Sequence, residues 1–364
     1  LLPYDEGDTY SPRSLIVLRQ SLLGSDYFSK VEVQTGDPHP ATLRVPVTVK
    51  LEPAIANTYG FGIGYGTDTG IRGTAEWNNR LINRFGHQFT IEYQPSERKS
   101  SIGGVYTIPV RDPRRDRLSL LAKWEKEDFE NTESELRNIS ISYDHLRERS
   151  EYSVYLGYLD ENYDTGIDSG QTQLLTPGIK TTWRLADNRL QTRRGIRLSL
   201  NLTGAQENVI SDTSFLQGML NAKAIVAFFA RWRLIGRLQI GATMVDDIHD
   251  LPPSLRFYAG GDQSVRGYEY KSLGPRDSYD DVIGGRYLLA YSVEVERELF
   301  DNWSGALFYD SGNAFNSLTE VSMNEGIGAG LRWNLPFGQI RLDVARGISQ
   351  AGSWRIHFNV GADL

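Results

Sequence analysis

The 364-residue sequence contains no cysteine. Disulfide frameworks, cysteine-ligated zinc and thiol nucleophiles are thereby excluded. The absence suits an exported chain that avoids stray oxidation. Long apolar runs are missing too. The best, Ala224 to Ala230, falls far short of the roughly 18 apolar residues that a membrane helix needs. Histidine is scarce, and His39, His87, His145, His249 and His357 share no recognisable nucleophile context. No Gly-x-Ser-x-Gly elbow, phosphate loop or zinc-binding helix occurs. The acidic clusters Asp246-Asp247 with Asp250, and Asp280-Asp281, read more simply as solvated loop charge than as a Ca²⁺ site. No metal and no cofactor is expected. A net charge of −7 argues against nucleic acid as a partner. Leu1 follows no basic n-region or cleavage motif, and the pattern begins mid-stream, as in a piece lacking its N-terminal material.

The sequence is rich in glycine, with 36, and tyrosine, with 19, although its mean hydropathy is only −0.40. Such a chain scans as soluble, but a membrane β-barrel hides its apolar surface in alternation. Residues 1–53 differ from the rest. Ser11 as cap, Pro12 in the first turn, and Leu15, Leu18 and Leu22 at helical spacing predict a helix stopped by Gly24. Lys30 to Gln34 and Leu43 to Leu51 then read as two strands about a Gly36-Asp37-Pro38 turn. The run Leu18 to Val33 resembles the back half of a polypeptide-transport-associated (POTRA) domain, which would make 1–53 the last of several such units. A generic βαββ fragment is the plainer alternative.

From residue 54 to 364 the period is two. Tyr59, Phe61, Ile63 and Tyr65 alternate with Gly60, Gly62, Gly64 and Gly66, and Ile196 to Leu202 alternate with Arg197 to Thr203. Sixteen such segments are expected, at 56–65, 69–78, 86–94, 99–109, 116–127, 135–146, 151–160, 172–186, 195–206, 214–229, 233–245, 284–297, 303–310, 325–334, 338–346 and 353–364. The second face carries Arg, Lys, Glu, Asn and Gly in strand after strand. A sandwich or propeller would not leave it so polar, whereas a barrel with a wet interior and a lipid-facing exterior accounts for it. Tyr93, Trp124, Trp232, Trp303 and Trp333 near strand ends fit interfacial girdles. The fold class is thus an all-β transmembrane barrel of 16 antiparallel strands preceded by a partial α/β unit. An even count puts both barrel ends on the side of that unit, the near side. The long connection 246–283 follows strand eleven and lies on the far side, well beyond the ~12–15 residues at which loops become functional or disordered.

That connection holds Arg256-Phe257-Tyr258-Ala259-Gly260-Gly261-Asp262-Gln263-Ser264-Val265-Arg266-Gly267-Tyr268 and then Leu273-Gly274-Pro275. It resembles the loop-six signature of the outer-membrane assembly and transport superfamily that includes BamA, TamA and the two-partner-secretion transporters. Ser292-Val293-Glu294 resembles that family's inward glutamate, and Phe308-Tyr309-Asp310-Ser311-Gly312 its Phe-x-Asp-x-Gly element. The resemblance implies a loop latch of Val265, Arg266, Gly267 and Tyr268, with Glu294 and Asp310 as its acceptors. Face counting agrees, since it puts Ser292, Glu294, Glu296, Phe308 and Asp310 on the lumen side. Glu296 is the alternative acceptor. A guanidinium fork suits two carboxylates, and either a pinned plug or a moving latch would use it.

Gly60, Gly62, Gly64 and Gly66 allow two readings: room for the plug, or a weakened seam with the last strand, where Gly361 lies. An open edge is a template for another strand, and the resemblance implies a lateral gate there for client hairpins. The C-terminal strand, with Phe358 and Leu364, resembles a barrel-targeting signal, although a terminal Phe or Trp is more usual. The compact loops and the Asp262 to Ser272 wording favour the TamA-like branch. The implied function is that of a Gram-negative outer-membrane insertase or translocase and not an enzyme, assisting assembly or secretion of autotransporters and other β-barrel clients. Its partners would be a TamB-like periplasm-spanning protein, unfolded clients and outer-membrane lipids. The alternatives are a BamA-type general insertase or two-partner-secretion transporter, and, more distantly, a porin or outer-membrane phospholipase.

Overall fold

A computed structural model describes residues 2, 4–66, 70–129, 131–166, 168–188, 191–336, 338–349 and 354–361. The N-terminal helix, α1, spans Pro12–Leu23 and buries Leu18 and Ser21. Ser11 has the extended backbone of a cap, but its side chain makes no capping bond. The helix begins instead with Pro12, whose fixed φ suits a first turn and whose missing N–H needs no acceptor. Strands β1 (Phe28–Thr35) and β2 (Val47–Pro53) pair antiparallel beside it. This small unit rests on near-side turns of the large sheet. Arg114 donates to Ser21 Oγ at 2.7 Å, and Tyr27 donates to the Gly86 carbonyl at 2.7 Å.

The large sheet has sixteen antiparallel strands. They are β3 (Asn57–Gly66), β4 (Gly70–Asn79), β5 (Gln88–Gln94), β6 (Lys99–Pro109), β7 (Asp116–Phe129) and β8 (Thr132–Leu146). Next come β9 (Ser150–Asp164), β10 (Ser169–Ala186), β11 (Arg194–Ala205), β12 (Phe215–Phe229) and β13 (Trp232–Val245). The last five are β14 (Tyr287–Phe300), β15 (Trp303–Phe315), β16 (Asn324–Leu335), β17 (Gly338–Gly347) and β18 (Trp354–Gly361). Each is hydrogen-bonded to its successor in one sheet whose order begins at β3 and ends at β18, and these two strands lie side by side.

The outward face is apolar and exposed, as a lipid-facing surface must be. On β3, Phe61 and Ile63 are 85% and 91% exposed. Near-side aromatics cluster at strand ends, with Trp303 and Trp333 stacked at 5.6 Å between ring centroids. The inward face is polar, and it is buried where the lumen is filled, chiefly on β13 to β17. The β13–β14 connection folds back into it and makes a core of its own, in which Phe257, Ala259, Val265, Tyr268 and Leu273 pack on Leu288 of β14 and Ala314 of β15. Two strand ends differ from the sequence expectation for this reason. β14 starts at Tyr287 because Gly285 is engaged in a bridge to Phe257 of the loop. β15 runs on to Phe315 because Ala314 covers the folded loop.

Candidate functional site

The registers of β13 to β17 set lumen residues in transverse rows. One row runs Arg237, Ser292, Asp310, Gly326, Gly347, and the next on β14 to β17 runs Glu294, Phe308, Gly328, Ala345. The loop tip lies over these rows. Arg266 Nε donates to Asp310 Oδ2 at 2.8 Å and Nη2 to Oδ1 at 2.9 Å, a two-pronged fork, while its backbone N–H adds a bond to Oδ2 at 3.0 Å. Nη1 reaches Glu294 at 3.0 Å and Asp343 at 3.1 Å, and Nη2 also reaches Ser292 Oγ at 3.3 Å. The guanidinium lies 3.3 Å above the centroid of the Phe308 ring. The arginine, the glutamate and the first aspartate singled out from sequence therefore meet at one point. Glu296 is elsewhere, paired with Arg233 at 2.7 Å.

Three participants carried no motif. Asp343 shares Arg266 with Glu294. Arg332 joins those same two acids, donating Nη2 to Glu294 at 2.8 Å and Nη1 to Asp343 at 2.6 Å. Arg237 approaches Asp310 at 3.6 Å and donates to Ser292 at 3.2 Å and to the Asp262 carbonyl of the loop at 3.1 Å. Three arginines thus face three carboxylates, so the buried group is formally neutral and every acid has two cationic neighbours. That balance is what lets so many charges leave water, since a buried charge is tolerated only when paired and hydrogen-bonded.

The backbone around Arg266 needs room. Gly267 has φ +98°, a left-handed conformation, and a side chain there would strike the backbone of Arg346 and Gly347. Room also comes from the barrel wall, where a Cβ at Gly326 would collide with the Arg266 carbonyl and one at Gly347 with the Tyr268 ring. Val265 and Tyr268 are buried, and Tyr268 donates to the Glu325 carbonyl at 3.2 Å. The glycines that admit the loop therefore sit on β16 and β17. On β3, Cβ atoms at Gly60 and Gly62 would meet only Glu76 and Thr74 of β4, at an ordinary 3.5 Å, so these glycines make no space for the plug. Gly64 pairs with Arg72, and Gly361 with Gln339 of β17. Phe358 is half-buried opposite Leu342. Leu364 lies outside the described residues.

A sixteen-stranded sheet whose far-side loop is clasped to its own inner wall agrees with the comparison of families: residues 56–363 match the Omp85 superfamily domain. The chain belongs to the Omp85 superfamily. It is an outer-membrane β-barrel protein. The outer membrane protein assembly factor BamA of Neorickettsia risticii is 23% identical over 94% of this chain and 49% of its own length. That of Nitratidesulfovibrio vulgaris is 25% identical over 98% and 48%. The chain thus spans about half the length of these curated relatives. Among solved structures, BamA from Haemophilus ducreyi lacking POTRA domains 1–3 superposes with a TM-score of 0.84 at 15% identity, over 98% of this chain and 79% of that one. CdiB from Acinetobacter baumannii does so with a TM-score of 0.62 at 15% identity, over 99% and 69%.

In this Omp85 barrel the loop is held at further points that the motif did not mark. Lys271 pairs with Glu127 of β7 at 2.9 Å and lies 4.1 Å from the centroid of the Phe129 ring. Burial pulls its ammonium pKa down, and Glu127 pulls it back. Glu269 takes Arg98, in the β5–β6 turn, at 2.7 Å and Arg355 of β18 at 3.1 Å. Ser254 N–H donates to the buried Glu161 of β9 at 3.2 Å. Within the loop, Arg256 is spent on the carbonyls of Leu251, Ile283 and His249. Among the described residues no three acidic or histidine side chains converge as a cation site.

Proposed function

We propose that this Omp85 barrel is a non-enzymatic outer-membrane insertase or translocase whose clients pass a lateral gate between β3 and β18. The carrying observation is the first strand. Its outward Phe61 and Ile63 stand almost wholly free, its alternate positions are glycines that offer a neighbour nothing to pack, and it forms one end of the sheet order. A terminal strand of this kind can pair with an incoming strand through its backbone. The latch of Val265, Arg266, Gly267 and Tyr268 on Glu294 and Asp310, joined by Asp343, keeps the loop inside while the seam works. The work is then done by strand pairing and needs no cofactor.

Residues 1–53 serve in this reading as a POTRA unit on the periplasmic side. The helix, the two-stranded sheet and their seat on near-side turns support that role. So does superposition over 98% of the chain on a structure described as lacking POTRA domains 1–3. The clients are unfolded outer-membrane or autotransporter proteins. Short far-side turns favour the TamA-like branch, with a TamB-like periplasm-spanning partner. The match to BamA sequences favours a general BamA-type insertase as the second reading.

The test is a cysteine pair placed across β3 and β18. The chain has no cysteine of its own, so the introduced pair supplies its only thiols. Oxidation should stop client assembly and reduction should restore it. Full activity of the oxidised protein would reject lateral opening.

A further inference from the structure

Arginine is distributed unevenly between the two rims. The five near-side turns from β4–β5 to β12–β13 each carry at least one: Arg80, Arg111, Arg147, Arg193 and Arg231 stand for them. Apart from the latched loop, the seven far-side connections carry only Arg98 and no lysine. The near rim from β4 to β13 therefore presents cations where the barrel leaves the hydrocarbon, whereas the last two near-side turns, 301–302 and 336–337, carry none.

Cations stand beside two cavities on that rim; one, of about 300 Å³, also holds the acids Glu296 and Glu298 beside Arg231 and Arg233. The other, of about 370 Å³, opens where the β10–β11 and β12–β13 turns meet, lined by Asp187, Arg193, Arg194, Phe228 and Phe229. Arg194 opens β11 and shares its outward face with Ile196, while Val226, its partner in register, shares the outward face of β12 with Phe228. Arg193, Arg194, Phe228 and Phe229 are all exposed. Arg193 Nη2 is steadied by the Ala230 carbonyl at 2.9 Å. The one acid in the lining, Asp187, is turned to the backbone, accepting from the N–H groups of Asn188, Arg193 and Arg194 at 2.8, 3.0 and 3.2 Å. Next along the rim, Arg297 lies 5.1 Å from the Trp232 ring centroid, extending the same pairing of cation and aromatic.

A lipid-facing arginine is costly at the bilayer centre and nearly free of cost at the interface. There it meets phosphate oxygens, for which a guanidinium is the best-matched donor. We infer that this cavity is a binding site for an anionic phospholipid of the near-side leaflet. Its phosphate lies between Arg193 and Arg194, and an acyl chain descends over Phe228, Val226 and Ile196. The inference rests on the membrane placement of the barrel and not on the gate reading.

The probe is dioleoylphosphatidylglycerol added to the whole purified chain in detergent, with retained lipid counted by native mass spectrometry. Arg193→Gln/Arg194→Gln should retain roughly tenfold less, the equivalent of about 1.4 kcal/mol. Arg197→Gln, on the lumen face of the same strand, should retain as much as the unaltered protein. Should the double glutamine variant fail to fold, as judged by heat-modifiable gel mobility, Arg193→Lys/Arg194→Lys keeps the charge and should stay within about twofold, while Phe228→Ala alone should lower retention. Undiminished retention in the double variant would overturn the site. Equal retention of dioleoylphosphatidylcholine would overturn the anionic class, and displacement by millimolar inorganic phosphate would make it a free-phosphate site.

Discussion

Replacing Arg266 with alanine removes five side-chain hydrogen bonds at once, to Asp310, Glu294, Asp343 and Ser292, together with the contact to the Phe308 ring. It leaves three carboxylates facing Arg332 and Arg237 alone, so the buried group goes from neutral to a net charge of −1. Breaking a buried ion pair from one side costs about 3–5 kcal/mol, because the remaining charge keeps its desolvation penalty without its partner. At 1.4 kcal/mol per decade, the equilibrium for release of the loop tip should rise by a factor of about one hundred to a few thousand. Asp310→Ala should cost a similar amount, since it removes the two-pronged acceptor and strands Arg266 among fewer acids. The double variant should be no worse than either single one, because the same interaction cannot be lost twice. The assay is hydrogen exchange at the amides of Val265 to Tyr268, with limited proteolysis of 260–280 as a second readout. Arg266→Lys should fall between, because an ammonium keeps the charge but not the fork. Losses in the double variant that equal the sum of the singles to within about 0.5 kcal/mol would refute the shared latch.

The glycines separate two roles. Gly326→Ala should drive its methyl into the Arg266 carbonyl and destabilise the seated loop by about 1–3 kcal/mol, whereas Gly62→Ala should leave loop protection unchanged; protease sensitivity of the loop distinguishes them. Glu269→Gln should weaken its ties to Arg98 and Arg355 and raise hydrogen exchange in β3 and β18 without releasing Arg266. Unaltered exchange there would show that Glu269 does not brace the seam.

Much of this architecture is legible in the residues alone, and the reasons are specific. Period-two alternation locates strands because lipid and lumen impose opposite demands on neighbouring residues, and all sixteen expected segments correspond to strands. Arg266, Glu294 and Asp310 are visible as motifs. Asp343 and Arg332 are not, although both lie on inward-facing positions. What hides them is register: only the pairing of Gly330 with Asp343 brings β17 into reach of the latch. The signal that could have found them is the Gly326-Ile327-Gly328-Ala329-Gly330 stripe, a second alternation of glycine that makes room for the Arg266 carbonyl at Gly326, the Phe308 ring at Gly328, and the Asp343 and Arg332 side chains at Gly330. The stripe on β3 is the more conspicuous of the two, yet its described members Gly60 and Gly62 face no plug. Ser11 misleads for another reason: the residue type permits a cap, but here its hydroxyl makes no such bond.

The loop's attachments are unequal in strength around the barrel. Those on β13 to β17 are buried, multiple and charge-balanced, and the bond of Lys271 to Glu127 on β7 is buried as well. The link toward the first strands is the pair between Glu269 and Arg98, partly in solvent and worth less than about 1 kcal/mol. Mechanically, the loop is a strut that stiffens the wall from β7 round to β17 and leaves β3 to β6 as a flap beside the seam. On the proposed gate reading, the first four strands would be the part of the wall that swings, about the β6–β7 hairpin, with the latch still shut.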